Sequence, residues 1–270
     1  MQYLIDFKTF LKHLKNNKTL IYSLIKHDFK KQYLGSYLGL IWAFIQPLTF
    51  IAVIWFVFEI GFRSSPATDG VPFFLWLISG MIPWFFFVNG LVNATNGIVS
   101  NAFLIKKVAF RISVLPLVQI GSAYLIHLVL VFFLVLSFLL YGYTPSIYWV
   151  QIGYYMLCSI FLLLGLTWLT SALRVFVKDI GNIIAVIVQI GFWATPIFWS
   201  INKVPVEYQY IMKLNPMFYI VDGYRDTFIN HIWFWEKGYV TVYFLTFSTL
   251  LFVFGAIVFR RLKPHFADVL

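Results

Sequence analysis

Between Asn202 and Lys237 the chain gathers eight charged side chains, four acidic and four basic, in a stretch that is also rich in Tyr, Phe, Ile, Val and Trp. Within it, Asp222 and Arg225 stand three residues apart. That is the spacing of neighbours on one helix face, so they offer a carboxylate–guanidinium pair across a turn. Asn215-Pro216 reads as a helix start, because Asn caps the first amides and Pro tolerates the first turn. The other reactive groups are scattered. Cys158 is alone, which leaves neither a disulfide nor a Cys-based metal site. His127 sits isolated in an apolar run, and His13, His27, His231 and His265 are far apart in sequence, so no metal is expected. No phosphate-binding loop of the form G-x-x-x-x-G-K-[ST] occurs, and the chain is not expected to be an ATPase by itself. The long apolar runs hold no pair of carboxylates and no acid–base cluster. This speaks against a proton-driven carrier and against catalysis within a bilayer. The chemistry left is pairing and packing, with no catalytic residue.

The elements that must position these groups are long and apolar. From residue 112 to residue 173 there is no Asp, Glu, Lys or Arg. A bilayer crossing takes about 20 residues, so this run holds two crossings joined by a polar turn at Tyr141–Tyr148 around Pro145. Hydrophobic residues make up 61% of the chain and charged ones 11%. The runs are continuous, which excludes the short alternating strands of a membrane barrel. The reading is an all-α integral membrane protein with six transmembrane helices. They are placed at Leu38–Phe58, Phe73–Val92, Leu117–Leu140, Ile147–Leu169, Ile180–Trp199 and Tyr239–Phe259. Pro47 and Pro83 fall inside the first two and imply kinks. Gly35, Ser36 and Gly39 are small enough to let helices approach closely.

Fifteen of the twenty Lys and Arg residues fall in the N-terminal segment, in the second and fourth loops, and in the tail. The positive-inside rule then places both termini in the cytoplasm. The formal net charge of +10 becomes a skirt facing anionic headgroups, not a nucleic-acid footprint. Residues 1–31 read as an N-terminal amphipathic interfacial helix, with Leu4, Phe7, Leu11 and Leu14 on one stripe and lysines elsewhere. The alternative is a basic tail that sets orientation. After the second crossing, polar residues lead into Asn101, Phe103, Lys106, Lys107, Phe110 and Arg111, either a short amphipathic cytoplasmic helix or an ordinary basic loop. Eight charges forbid an ordinary crossing over 202–237, since one at the bilayer centre costs roughly 2.5 to 3.5 kcal/mol. Two short helices that dip back into the outer half of the membrane fit this segment, against the alternative of an exterior loop.

Aromatic residues are in excess, with 31 Phe, 16 Tyr and 10 Trp. Most would face lipid or the headgroup belt. Dense polar-tipped aromatics at Trp42, Trp84, Trp193, Trp199, Tyr219 and Tyr224 also suit a sugar-polymer conduit, because flat rings pack on sugar C–H faces.

Four stretches carry a likeness over essentially the full chain: YLGSYLGLIWAFIQP (33–47), DGVPFFLWLISGMIPWFFF (69–87), VFVKDI (175–180) and MKLNPMFYIVDGYRDTF (212–228). Together they resemble the type-2 ABC polysaccharide-export permeases. The last stretch is closest in pattern to the membrane subunits of wall teichoic acid exporters. Lys178-Asp179 departs from the Arg-Asp common in that family. The resemblance implies a homodimer of six-span protomers in the bacterial plasma membrane, partnered by two separate ABC ATPase subunits that bind ATP and Mg. This chain itself would need no cofactor. The implied cargo is an undecaprenyl-diphosphate-linked polymer, moved from the cytoplasmic to the outer leaflet. Teichoic acid is the first expectation, O-antigen or capsular polysaccharide the alternative. A membrane-embedded transferase acting on a lipid carrier is the reading from another class, and an ABC permease for smaller cargo such as drugs or lipids is a third.

In those terms, residues 32–270 form the transmembrane domain. A coupling helix would lie at about 97–111, and a re-entrant gate hairpin at about 202–237. Asn101, Phe103, Lys106, Lys107, Phe110 and Arg111 would meet the ATPase. Asn215, Pro216, Tyr219, Asp222, Tyr224 and Arg225 would shape the gate. Trp42, Trp84, Phe85, Trp193 and Trp199 would line the tunnel, and Lys30 and Lys31 would contact the lipid diphosphate.

Overall fold

The computed structural model describes residues 16–33, 37, 39–63, 70–105 and 112–270. All regular structure among them is helical, as a chain that must satisfy its backbone internally in hydrocarbon requires. The first described helix is α1 (Lys18–Tyr33). Helix α2 (Trp42–Trp55) is led in by a 3-10 turn and prolonged by a π-helical turn, so the helical run covers Gly39–Gly61. Next come α3 (Phe73–Ser100), α4 (Ala102–Ile105), α5 (Leu115–Leu140) and α6 (Ile152–Phe176). Then follow α7 (Ile180–Ala194), α8 (Val206–Lys213), α9 (Pro216–Arg225), α10 (Tyr239–Leu262) and α11 (Phe266–Val269).

Five helices among the described residues are long and apolar enough to cross a membrane. The fifth predicted crossing, Ile180–Trp199, is the exception. Its helix α7 has 15 residues, about 22 Å at 1.5 Å per residue, against roughly 30 Å of hydrocarbon. Pro196 explains the early stop. The residue before proline is pushed out of the helical region, and Thr195 adopts φ −85°, ψ 135°.

Helix α3 is the hub. Its apolar window is 78% buried, whereas those of α2 and α10 are 22% buried. It packs along α5 and α6, and against α9, α2 and α7. Pro83 lies within it and Pro47 within α2, neither ending its helix. Helices α6 and α10 form the other major pair. A Cβ on Gly255 would fall 2.3 Å from the carbonyl oxygen of Gly165, and one on Gly165 would fall 2.8 Å from the amide nitrogen of Phe252. Both glycines are therefore required for this approach. Of the small residues singled out near the start of the first crossing, Gly39 has open space around it within this chain, and Gly35 and Ser36 lie outside the described residues.

The bundle has two distinct ends. At one, a small core joins Ile98 of α3, Leu115 of α5, Trp168 and Ala172 of α6, Phe259 of α10 and Phe266 of the tail. Helix α1 docks nearby on α5. Ser122 Oγ donates to the Ile25 carbonyl at 3.2 Å, and Gln119 Nε2 donates to Asp28 Oδ1 at 2.6 Å. The amphipathic stripe expected at Leu4–Leu14 lies outside the described residues. The polar turn after α5 is where it was expected, with Gly142 at φ +85°. The opposite end gathers the start of α3, the end of α7, the start of α10 and the pair α8–α9.

Candidate gate site

Helix α9 begins as its sequence dictates. Asn215 Oδ1 accepts the Met217 amide at 2.9 Å, and Pro216 takes the first helical position. The same Asn215 reaches sideways, donating from Nδ2 to Thr195 Oγ1 at 2.8 Å. The cap thus fastens α9 to the end of α7. The preceding helix α8 contributes no buried residue. Helix α9, by contrast, is almost wholly enclosed in the protein.

Its side chains are tied on every side. Tyr219 meets Tyr154 of α6, hydroxyl to hydroxyl, at 2.9 Å and stacks on Phe244 of α10 with ring centroids 4.6 Å apart. The Tyr224 hydroxyl lies 2.7 Å from Nε2 of His127 on α5, whose ring stacks on Phe86. His127 is thus a packed partner of the hairpin. Gly223 leaves room for Tyr155, whose ring a Cβ there would meet at 2.0 Å.

Arg225 is 5% exposed. Its guanidinium donates from Nη1 to the Pro196 carbonyl and from Nη2 to the Ile197 carbonyl, each at 2.6 Å. Its centre lies 3.5 Å from the Trp76 ring centroid, a contact worth about 2 kcal/mol when desolvated. Gly80 makes the space, since a Cβ there would meet Nη2 at 2.8 Å. Two carbonyls just past the proline break that ends α7 are thereby capped by an arginine from α9. Burial pulls the arginine pKa down to about 9, opposed by the nearby charges of Asp222 and Asp226, so it stays protonated at neutral pH.

The expected Asp222–Arg225 pair is not the one formed. Asp222 Oδ2 accepts instead from Lys237 Nζ at 2.5 Å, and Asp226 Oδ2 makes a second, closer ion pair with the same ammonium. The reason is competition: Arg225 is drawn to the two carbonyls and the Trp76 face, and the carboxylates turn to the lysine just before α10. Asn230 Nδ2 adds a hydrogen bond to Asp226 Oδ1 at 2.8 Å. Burial pushes the Asp226 carboxyl up to about 6, with Asp222 adding to the rise and Lys237 opposing it. Burial also works against the Lys237 charge, but the two carboxylates outweigh it and hold its pKa above the ordinary lysine value.

Phe218, Asp222, Arg225 and Asp226 recur at helical spacing, which puts them on one stripe of α9 and its π-helical extension. That stripe faces a cavity of about 450 Å³. Trp76, Asn202, Gln209 and Lys237 help to line the opposite side. The sequence reading missed Trp76, Lys237 and Asp226. The stripe spacing pointed to Asp226, but no sequence signal tied Trp76 or Lys237 to Arg225 and Asp222.

The other expected residues are dispersed. Trp42 and Trp193 are 46% and 58% exposed on the outside of the protomer. Trp84 is buried against Phe87 and Phe192. Phe85 is half-buried beside Phe50, and Trp199 donates from Nε1 to the Trp193 carbonyl at 3.1 Å. Lys30 and Lys31 are exposed on the last turn of α1. Residues 97–100 of the expected coupling segment are the final turn of α3, and Asn101 bonds back to the Gly97 carbonyl at 2.8 Å. Phe103 follows on α4 and is exposed. Lys106, Lys107, Phe110 and Arg111 lie outside the described residues.

The chain is similar to known proteins over most of its length. Two O-antigen export system permease proteins RfbA of Klebsiella pneumoniae are 28% and 27% identical over 253 and 254 residues, each match covering 93% of this chain and 95% of the relative. A third, RfbA of Myxococcus xanthus, is 27% identical over 224 residues, covering 82% of this chain and 84% of the relative. The sequence profile of the ABC-2 type transporter family matches residues 19–229. That match takes in α1, the first five apolar helices and the whole of α9, and the chain belongs to the ABC-2 type transporter family.

Proposed function

We propose that this chain is the membrane subunit of an ATP-driven exporter that moves a lipid-linked polysaccharide from the cytoplasmic to the outer leaflet. The observation that carries it is the near end-to-end similarity to permeases named for O-antigen export. Those relatives reverse the order of cargoes expected from residues 212–228. An O-antigen-type polymer on an undecaprenyl diphosphate carrier becomes the leading reading, and the relatives lend teichoic acid no particular support. Two ATPase subunits, binding ATP and Mg, supply the power. They act on the segment from Asn101 through Phe103 to Arg111, at the cytoplasmic end, where both termini also lie.

Two copies would form the passage between them, since α2 and α7 present exposed apolar faces with Trp42, Phe50, Ile187 and Trp193. A passage between copies would use Trp42, Trp193, Phe85 and Trp199 as its aromatic lining. Trp84 would contribute only by supporting Phe192. Lys30 and Lys31 would meet the carrier diphosphate. The pair α8–α9 would form the outer gate, with Asn215, Pro216, Tyr219, Asp222, Tyr224 and Arg225 setting its shape. The test is reconstitution with the ATPase partners in vesicles loaded with defined lipid-linked glycans. ATP-dependent appearance of O-antigen-type glycan on the far leaflet supports the reading. Movement of small lipids or drugs alone sinks it, and so does glycan modification by this chain without any ATPase.

A further inference from the structure

The cluster beneath α9 holds two carboxylates for one ammonium. Lys237 Nζ sits between Asp222 and Asp226, and Arg225 neutralises the group at a distance without touching either acid. The lysine is 11% exposed, Asp226 2% and Asp222 30% at the side chain, so water reaches this contact from one edge only.

The segment that carries Lys237 is built differently from the helices around it. It runs from His231 at φ +55° to Gly238 at φ +53°. A left-handed residue at each end gives the strap two points where the chain reverses direction without a helical backbone. Between them the strap is fastened to the first turn of α6 and to Gln151 just before it. Gln151 donates from Nε2 to the Ile232 carbonyl at 2.8 Å and accepts the Phe234 amide at 3.1 Å, while Phe234 stacks on Tyr154 with centroids 3.8 Å apart. Lys237 therefore joins a strap held by α6 to the acidic stripe of α9. The cavity lies beside this joint. Of the amides that line it, Gln209 bonds to the Val204 carbonyl and Asn230 to Asp226. The acidic side of the joint is itself a π-helical turn, Asp226–Asn230, a form that recurs where helices must adjust locally.

We propose that Lys237 is the positioning residue of the outer gate: its ammonium, held between Asp222 and Asp226, is the tie that must break for α9 to move away from the strap and α10. This rests on the exporter reading above. The tie suits repeated breaking because the carboxylates are partly compensated by Arg225 when the ammonium leaves, and because Asp222 already reaches water.

The test uses the full complex in proteoliposomes, in a Cys158→Ala background, with Asp222→Cys and Lys237→Cys joined by a cleavable thiol-to-thiol crosslinker. With the link in place, glycan export is expected to fall to the level seen without ATP, and to return when the link is cleaved. Export at the uncrosslinked rate with the link intact overturns the proposal. A second arm uses Lys237→Arg, expected to keep the closed gate tight, and Lys237→Met, expected to let a small trapped dye escape while ATP-driven export continues. A Lys237→Met protein as tight to dye as the unsubstituted one also overturns it. If the unsubstituted complex moves no glycan at all, the exporter reading fails, which is a different outcome from failure of the tie.

Discussion

Arg225 gives its guanidinium to two backbone carbonyls and the face of Trp76, and each partner depends on its planar shape. Replacing it with Ala leaves the Pro196 and Ile197 carbonyls buried without donors. A loss of about 2–4 kcal/mol follows from unsatisfied buried groups and the missing cation–π contact, together with loss of export while membrane insertion is retained. Lys at this position restores charge but neither the fork nor the stack, so it should recover less than half of the lost stability. Thermal unfolding in detergent, run beside the export assay, reads both. Asp226 makes a pH-dependent prediction. Its carboxyl lies at about 6 in the folded protein against an ordinary 3.8. The folded state therefore binds the proton more tightly, and its contribution to stability is greatest below the ordinary value and is lost as pH rises through about 6. Melting temperatures are expected to be higher near pH 5 than near pH 7.5. Asp226→Asn should flatten that difference; an unchanged slope in the variant would assign the effect to another group.

At the level of elements, the α6–α10 crossing is the least tolerant contact in the bundle. Gly255→Leu pushes a side chain into the backbone of α6, where even a Cβ falls 2.3 Å from the Gly165 carbonyl. Overpacking of this kind typically costs 1–3 kcal/mol, and more where backbone is the obstacle. Size-exclusion chromatography should show loss of the monodisperse protein, whereas Gly153→Ala, with open space around it, should elute unchanged. The same comparison shows what periodicity conveys. Apolar runs placed the starts of the long helices to within a few residues, though α3 and α6 run on past the expected ends at Val92 and Leu169 to Ser100 and Phe176, and Asn215-Pro216 placed the start of α9. Periodicity did not distinguish α7 as shorter than a full crossing, because Pro196 and the apolar residues after it continue the hydropathy past the helix end. It also did not mark Gly165 and Gly255 for close packing, since a small residue matters only where another backbone arrives.

For the whole molecule, the central feature is that α3 runs from the site to the far end, with Trp76 and Gly80 beneath Arg225 and Asn96, Gly97 and Asn101 at the other pole. At 28 residues it is about 42 Å long, more than the hydrocarbon thickness. Motion imposed at Asn101–Phe103 would therefore have one continuous helix leading to the floor of the proposed gate. Single cysteines in a Cys158→Ala background check the arrangement. Phe103→Cys is expected to label only from the cytoplasmic face of intact cells or oriented vesicles, and Glu207→Cys only from outside. Labelling of both from one face would overturn the proposed orientation of coupling and gate ends.

The amino-acid sequence by itself determined that this chain lives in a membrane, where its long helices run, and which hairpin carries the charges. Those properties follow from hydrophobicity and local spacing, which act over a few turns of chain. Tertiary structure alone decided the partners of those charges: Arg225 with the carbonyls after α7 and with Trp76, Asp222 and Asp226 with Lys237. Such contacts join segments on different helices, and which donor meets which acceptor is set by the competition among all the groups that packing brings within reach.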